Sequence, residues 1–422
     1  MRRAALIAAG ALLALPPVAL ATTLEDAIAA ARAYNPDLRA AKAQADAATA
    51  RLDAAKGARL PTVGVAGEYM SGRNDLGGFF GFAAADVDPR SVRLELSQPV
   101  YAGGAITAGV DQARAGQAGA AARLGQADDA LQVAVARAYA GVRAAEAFFE
   151  ASQAQTKAFD EWTRQARLRF AAGEIPRSDL ELSRARGAEA RAGAARARGA
   201  LAVARAQYVA LVGAEPVALE AVADDGAMPA LDEVLARAEA VNPALRAAEA
   251  GVRAARAAAR AAAAQGLPSF SVAARAEQVR DQFFPGYRSD AVTVGVQGRW
   301  TLFAGGRVQA AKAEASAGVR AAEAQRDAAR AALKTAVVAA WSDLQANRLA
   351  VAAARDQVQA ANLAVDSLRQ EARVGQRPLL DLLDAERDQL SAVARALAAE
   401  GEVTVSARQL AVLAGAGPSP RP

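Results

Sequence analysis

The chain states nearly the same pattern twice, and this duplication limits its fold more than any single motif does. Ala172-Gly173-Glu174-Ile175-Pro176-Arg177-Ser178-Asp179-Leu180 returns 202 positions later as Val374-Gly375-Gln376-Arg377-Pro378-Leu379-Leu380-Asp381-Leu382. Asn35-Pro36-Asp37-Leu38-Arg39-Ala40-Ala41 returns as Asn242-Pro243-Ala244-Leu245-Arg246-Ala247-Ala248. Tyr101-Ala102-Gly103-Gly104 returns as Phe303-Ala304-Gly305-Gly306. Both halves close alike, at Leu211-Val212-Gly213-Ala214-Glu215-Pro216 and Leu413-Ala414-Gly415-Ala416-Gly417-Pro418. A chain built this way contains two copies of one supersecondary unit. Each Gly…Pro turn lies between long helical patterns, so each copy contains a helical hairpin.

Alanine makes up much of the 53% hydrophobic fraction. Such a chain fills no thick core with bulky side chains and suits long helices packed closely through small residues. It has no cysteine and no histidine. Disulfides and thiolate metal sites are therefore excluded, and the commonest metal ligand and general base are missing. No nucleophile–base set, phosphate loop or metal cluster stands out. The chain reads as a non-enzyme with no cofactor and no metal. Arg2 and Arg3, the apolar run Ala4 to Leu15 and the small-x-small site Ala19-Leu20-Ala21 read as a secretory signal over residues 1–21. Without Arg2 and Arg3 the formal charge falls from +5 to +3. The charge is mild and mixed with acids along helices, which speaks against nucleic-acid binding. Past the signal no stretch is long and apolar enough for a transmembrane helix.

The first repeat spans residues 22–216. Thr22 or Thr23 caps a helix from Leu24 to about Lys56, interrupted at Asn35-Pro36 because proline disfavours helix at the residue before it. After Leu60-Pro61 the period changes to two. Strands follow at about 61–71 and 91–101, separated by a Gly-, Asp- and Phe-rich loop, and then a hairpin over 105–212. Residues 217–230 form a linker. The second repeat spans 231–415, with a helix to Ala264, strands at about 268–279 and 291–302 and a hairpin over 306–413. Residues 416–422 read as a disordered tail. The outgoing helix of each hairpin, with no proline over about 65 residues, would be roughly 100 Å long.

Each of the four strands has one polar and one apolar face and about ten residues, the length that spans a bilayer as a tilted barrel strand. Tyr69, Tyr101, Trp300 and Phe303 fall near strand ends, where interfacial aromatics belong. Four strands close no barrel, and an open edge in lipid leaves backbone groups unpaired. Two chains would give eight strands and an interior filled by side chains. Three would give twelve and a lumen, which suits the polar inner faces. The expected fold is mainly α with a transmembrane β-barrel assembled from several chains. Asp381 and Asp384, three apart at the start of a returning helix, present both carboxylates on one side.

On the duplication, the Asn-Pro pairs, the Leu-Pro strand starts, the Ala-Gly-Gly re-entries and the Gly-x-x-x-x-x-Asp turns, the chain resembles the TolC-like outer-membrane efflux proteins over its mature length. The resemblance implies a homotrimer with a twelve-stranded barrel in the outer membrane, continuing as a periplasmic α-helical barrel. It implies the exit duct of a tripartite efflux pump or type I secretion system. Its partners would be a periplasmic adaptor, indirectly an inner-membrane transporter, and outer-membrane lipid. In that family the hairpin tips close the periplasmic entrance. Asp381 and Asp384 resemble the aspartates that ring the constriction, and Arg377 and Asp179 resemble members of the polar links that hold it shut. Gly173, Glu174, Ile175, Pro176, Gly375, Gln376 and Pro378 are similar to the adaptor-contact tips. The chain departs at Ala372, where the family pattern often has an aromatic. The absence of cysteine speaks against a lipid-anchored member. The alternative is a periplasmic coiled-coil adaptor or structural protein, but no lipoyl-like β domain flanks either hairpin, and four amphipathic strands would be left without a role.

Overall fold

A computed structural model describes residues 22–77, 84–222, 228–374 and 376–415. The signal segment 1–21, the tail 416–422 and Gly375 lie outside the described residues. The elements in order are α1 (Leu24–Tyr34), α2 (Pro36–Gly57), β1 (Thr62–Tyr69), β2 (Gly72–Asn74), β3 (Ala85–Val87), β4 (Arg90–Ala102), α3 (Ala105–Ala171) and α4 (Arg177–Val212). The second repeat continues with α5 (Leu231–Val241), α6 (Pro243–Ala264), β5 (Ser269–Arg280), β6 (Arg288–Arg299), α7 (Arg307–Arg373) and α8 (Leu379–Leu413). The outgoing helices α3 and α7 each run 67 residues. No described helix is long and apolar enough to cross a membrane.

Local chemistry sets the helix boundaries. Thr23 caps α1: its hydroxyl accepts from the Asp26 amide while the Asp26 carboxylate accepts from the Thr23 amide, satisfying two donors that a helix start leaves free. Asn35 and Asn242 adopt ψ of 124° and 127°, outside the helical basin, because a proline follows each. The Asn242 side chain then accepts from the Ala244 and Leu245 amides and restarts the helix as α6. Gly213 and Gly415 end the two returning helices at positive φ, 80° and 66°. An added Cβ at Gly213 would fall on the Tyr34 ring, and one at Gly415 on the Val241 side chain. Tyr34 and Val241 are the residues before the two Asn-Pro pairs, so the same close approach is built twice.

The chain divides into two compact units. One comprises Met1–Asn35, Ala130–Met228 and Ala340–Leu410, and the other Pro36–Asp129, Pro229–Ala339 and Ala411–Pro422. The first contains both hairpin turns and a core that includes Ile28, Val135, Tyr139, Val142 and Tyr208, all buried. In it the Tyr139 hydroxyl lies 2.7 Å from the Thr22 carbonyl oxygen and 2.9 Å from that of Glu220. Burial pushes this phenol up to about 12, so it remains a donor at neutral pH. The Glu220 amide donates to Thr22. The inter-repeat linker, which shows no packing role in sequence, is therefore tied to the start of the described chain.

The second unit contains the strands. The long ones form one antiparallel sheet in the order β1-β4-β5-β6. β4 pairs with β5 and so joins the repeats, with a register shift between Pro99 and Tyr101. The loop expected between β1 and β4 contains a small hairpin, β2 paired with β3. β6 ends at Arg299, and Trp300 beyond it donates to the Gly266 carbonyl. On one face of the sheet Val63, Val65, Val92, Leu94, Val292, Val294 and Val296 are 46–79% exposed. The opposite face carries Glu68, Arg93, Glu95, Arg275 and Glu277.

Candidate functional site at the hairpin turns

Both turns carry the same backward hydrogen bond. After α3, Gly173 takes φ 76° and the Glu174 amide donates back to the Arg169 carbonyl. After α7, the Gln376 amide donates to the Glu371 carbonyl, the equivalent pair. In the first turn this donor, reaching back five residues past Gly173, is the signature of a helix closed by a left-handed residue. Each return helix begins directly after Pro176 or Pro378. Asp179 and Asp381 then fall in the first turn, where the free amides of a helix start favour a carboxylate. Gly173, Glu174, Pro176, Gln376 and Pro378 are exposed, and Ile175 is half-buried.

Beneath the turns lies one apolar cluster: Phe159 and Trp162 from α3, Ala190 from α4, Val365 and Ala372 from α7, and Leu382 and Leu383 from α8. All four hairpin helices contribute, so the two turns share a base. Ala372 is buried in that base, and beside it a cleft of about 270 Å³ opens between Trp162, Leu168 and Leu379.

The charged side chains sit above the cluster. Arg377 donates to Glu371 at 3.2 Å and lies 3.7 Å from Asp381, in the first turn of α8. Asp384 pairs with Arg186 of α4 at 3.0 Å, a link between the two hairpins. Asp179 accepts from the neighbouring Ser178 hydroxyl at 3.3 Å. Among the described residues no ion pair joins Arg377 to Asp179, so the structure brings Asp381 and Arg377 together, and Asp384 and Arg186, within one chain. The Asp381 and Asp384 side chains are each about two-fifths exposed. No group of acidic residues able to hold a metal ion occurs among the described residues.

One group here was missed in sequence. Glu386 of α8 is buried beneath the aspartates. Its Oε1 accepts from Trp162 Nε1 at 3.2 Å and lies 3.4 Å from Arg369 Nη2 of α7, while Oε2 has no partner among the described residues. Gln155 of α3 donates to its backbone carbonyl at 2.9 Å. Burial, only partly offset by Trp162 and Arg369, raises the Glu386 carboxyl above its usual value. The signal was present: Glu386 lies four residues after Leu382 and three after Leu383, on the buried face of α8.

The sign of the resulting pH effect is fixed. A carboxyl whose folded-state value is raised takes up its proton more readily when folded. Its relative contribution to stability is therefore present at acid pH and lost as pH rises from 4.5 through the elevated value. We expect Glu386→Gln to flatten this part of the profile. The check is thermal unfolding in detergent at acid and neutral pH for both proteins. Parallel pH profiles would show that Glu386 does not titrate as its surroundings require.

A family model described as outer membrane efflux protein matches residues 27–214 and 234–416, once per repeat. Outer membrane efflux protein BepC of Brucella suis is 27% identical over 256 residues, 60% of this chain and 56% of that protein. Protein CyaE of Bordetella pertussis is 38% identical over 123 residues, 29% of this chain and 25% of that protein. The chain thus matches about a quarter to a half of the length of these curated relatives. Among solved structures, the CmeC outer membrane channel of Campylobacter jejuni superposes with a TM-score of 0.83 at 15% identity, over 93% of this chain and 86% of that one. That likeness bears on the fold alone.

Proposed function

The chain belongs to the outer membrane efflux protein family, and from that premise we propose that it is the passive outer-membrane exit duct of a tripartite efflux pump or type I secretion system. One observation carries this reading: a four-stranded sheet whose apolar face is exposed, whose other face is polar, and whose outer strands β1 and β6 each have one unpaired side. Lipid accepts the apolar face but not the open edges. Joining β6 of one chain to β1 of the next closes the sheet. Three chains of four long strands supply twelve, enough for a water-filled lumen. An adaptor that spans no membrane would leave the valine rows of β1 and β6 in water.

The hairpin turns would then form the periplasmic entrance of a homotrimer. Asp381 and Asp384, in three copies each, would ring it, with Arg377 and Asp179 in the polar links around them. The hairpin tips Gly173, Glu174, Ile175, Pro176, Gly375, Gln376 and Pro378 would meet a periplasmic adaptor driven by an inner-membrane transporter. An open duct takes its cargo from those partners. Carboxylate rings favour cations and bind polyvalent ones tightly enough to block.

The test is conductance of the purified full-length protein in planar bilayers beside an Asp381→Ala/Asp384→Ala variant. We expect a discrete channel blocked by trivalent cations, with the block weakened by about tenfold or more in the variant as six carboxylates are lost. Equal block in both would move the gate away from these aspartates. No channel from folded wild-type protein would overturn the duct.

A further inference from the structure

The polar face of the long sheet carries an ordered charge pattern. Along β4 it presents Ser91, Arg93, Glu95 and Ser97, and along the antiparallel β5 it presents Arg275 and Glu277. The register sets Arg93 opposite Glu277 and Glu95 opposite Arg275. Arg93 donates to Glu277 Oε1 through Nη2 at 2.5 Å and Nε at 3.1 Å. Arg275 Nη2 lies 3.5 Å from Glu95 Oε1. The four residues make a block in which every charge has its opposite across the strand and along it. Among the described strand residues of this face, the other charges are Glu68 on β1 and Arg299 on β6. Three arginines therefore equal three glutamates in number, four of the six charges are paired in the block, and the face is neutral.

Neutrality by pairing differs from neutrality by absence. A close pair of opposite charges polarises water nearby, but its field falls away faster than that of a single charge, and salt screens the remainder within about 10 Å. We propose that Arg93, Glu95, Arg275 and Glu277, repeated around the barrel, form a charge-balanced collar that makes the membrane-spanning passage indifferent to the sign of what crosses it. Permeants of either sign, and zwitterions, then pass this section alike, and discrimination by charge is left to the hairpin turns. The inference rests on the duct reading, because it needs the polar face to line a lumen.

Cross-strand pairs also stabilise strand register, so the test must read something register alone would not move. That quantity is the ratio of potassium to chloride permeability, taken from the reversal potential of the full-length protein in planar bilayers under a potassium chloride gradient. Arg93→Gln/Arg275→Gln leaves the glutamates unbalanced and is expected to raise the ratio by about two- to threefold. Glu95→Gln/Glu277→Gln is expected to lower it by a similar factor, and Arg93→Lys/Arg275→Lys to restore the wild-type ratio. Opposite shifts in the two neutralised variants establish the collar. An unchanged ratio in conducting channels, or shifts of one sign in both, overturns it and leaves the pairs a structural role. If a double variant does not insert, Arg93→Gln and Glu277→Gln singly read the same opposite shifts. A wild-type protein that forms no channel overturns the duct reading itself, which an unchanged ratio does not.

Discussion

Trp162→Ala is expected to destabilise the paired hairpins by about 3 to 5 kcal/mol, the usual cost of emptying a large aromatic site. Trp162 is 7% exposed and lies at the centre of the cluster shared by α3, α4, α7 and α8. Its indole N–H is also a donor to the buried Glu386 carboxylate. Trp162→Phe keeps most of the packing and removes only that donor, so a smaller loss of about 1 to 3 kcal/mol is expected. Denaturant or thermal unfolding of the detergent-solubilised protein gives both values. A Trp162→Phe protein as stable as wild type would mean that the Glu386 bond contributes nothing. A Trp162→Ala loss below 1 kcal/mol would mean that the four helices do not depend on their shared base.

Gly213→Val is expected to cost about 2 to 5 kcal/mol. A β-branched residue at φ 80° carries left-handed strain of roughly 1 to 2 kcal/mol. Its Cβ would also meet the base of the Tyr34 ring, and overpacking of that kind adds about 1 to 3 kcal/mol. The two contributions separate in a double-mutant cycle. Tyr34→Ala relieves the collision and leaves the backbone strain, so Gly213→Val should cost less in the Tyr34→Ala background. Equal cost in both backgrounds would show that the ring yields freely. Gly415 and Val241 offer the same experiment in the second repeat.

These sites also show what a single sequence reveals. Asn-Pro breaks, Ala-Gly-Gly re-entries and terminal glycines were legible because each depends on the backbone chemistry of a few adjacent residues. Their recurrence in the same order in each half turned weak signals into a duplicated topology. The long strands were legible from their alternation. The β2–β3 hairpin was not, because three residues per strand set no period. The pairing of Arg186 with Asp384 joins residues 198 apart, and nothing in either neighbourhood announces it. Glu386 falls between these cases. Its place in the leucine register could be seen, but a carboxylate on a helix is ordinarily solvated, and only the fold shows Trp162 and Arg369 converging on it. Arg377, in the turn between α7 and α8, meets Glu371 of the first helix and Asp381 of the second, contacts between near neighbours in sequence that need no second chain.

The sheet order has a consequence in time. β1 and β4 belong to one repeat, and Thr62 reaches Ser97 across only 35 positions. β4 completes its other side only with β5, where Arg93 meets Glu277 across 184 positions. Contacts so far apart in the chain form slowly, whereas α3 and α4 can coil up as soon as they are made. A two-stranded hairpin alone is barely stable in water. As the chain emerges from its N-terminal end, the first pair of strands must therefore wait, with sticky borders, until the chain has grown past its midpoint and delivered β5. The order of events is helices early and sheet late, and the interval between them is when this protein most needs protection from its own copies.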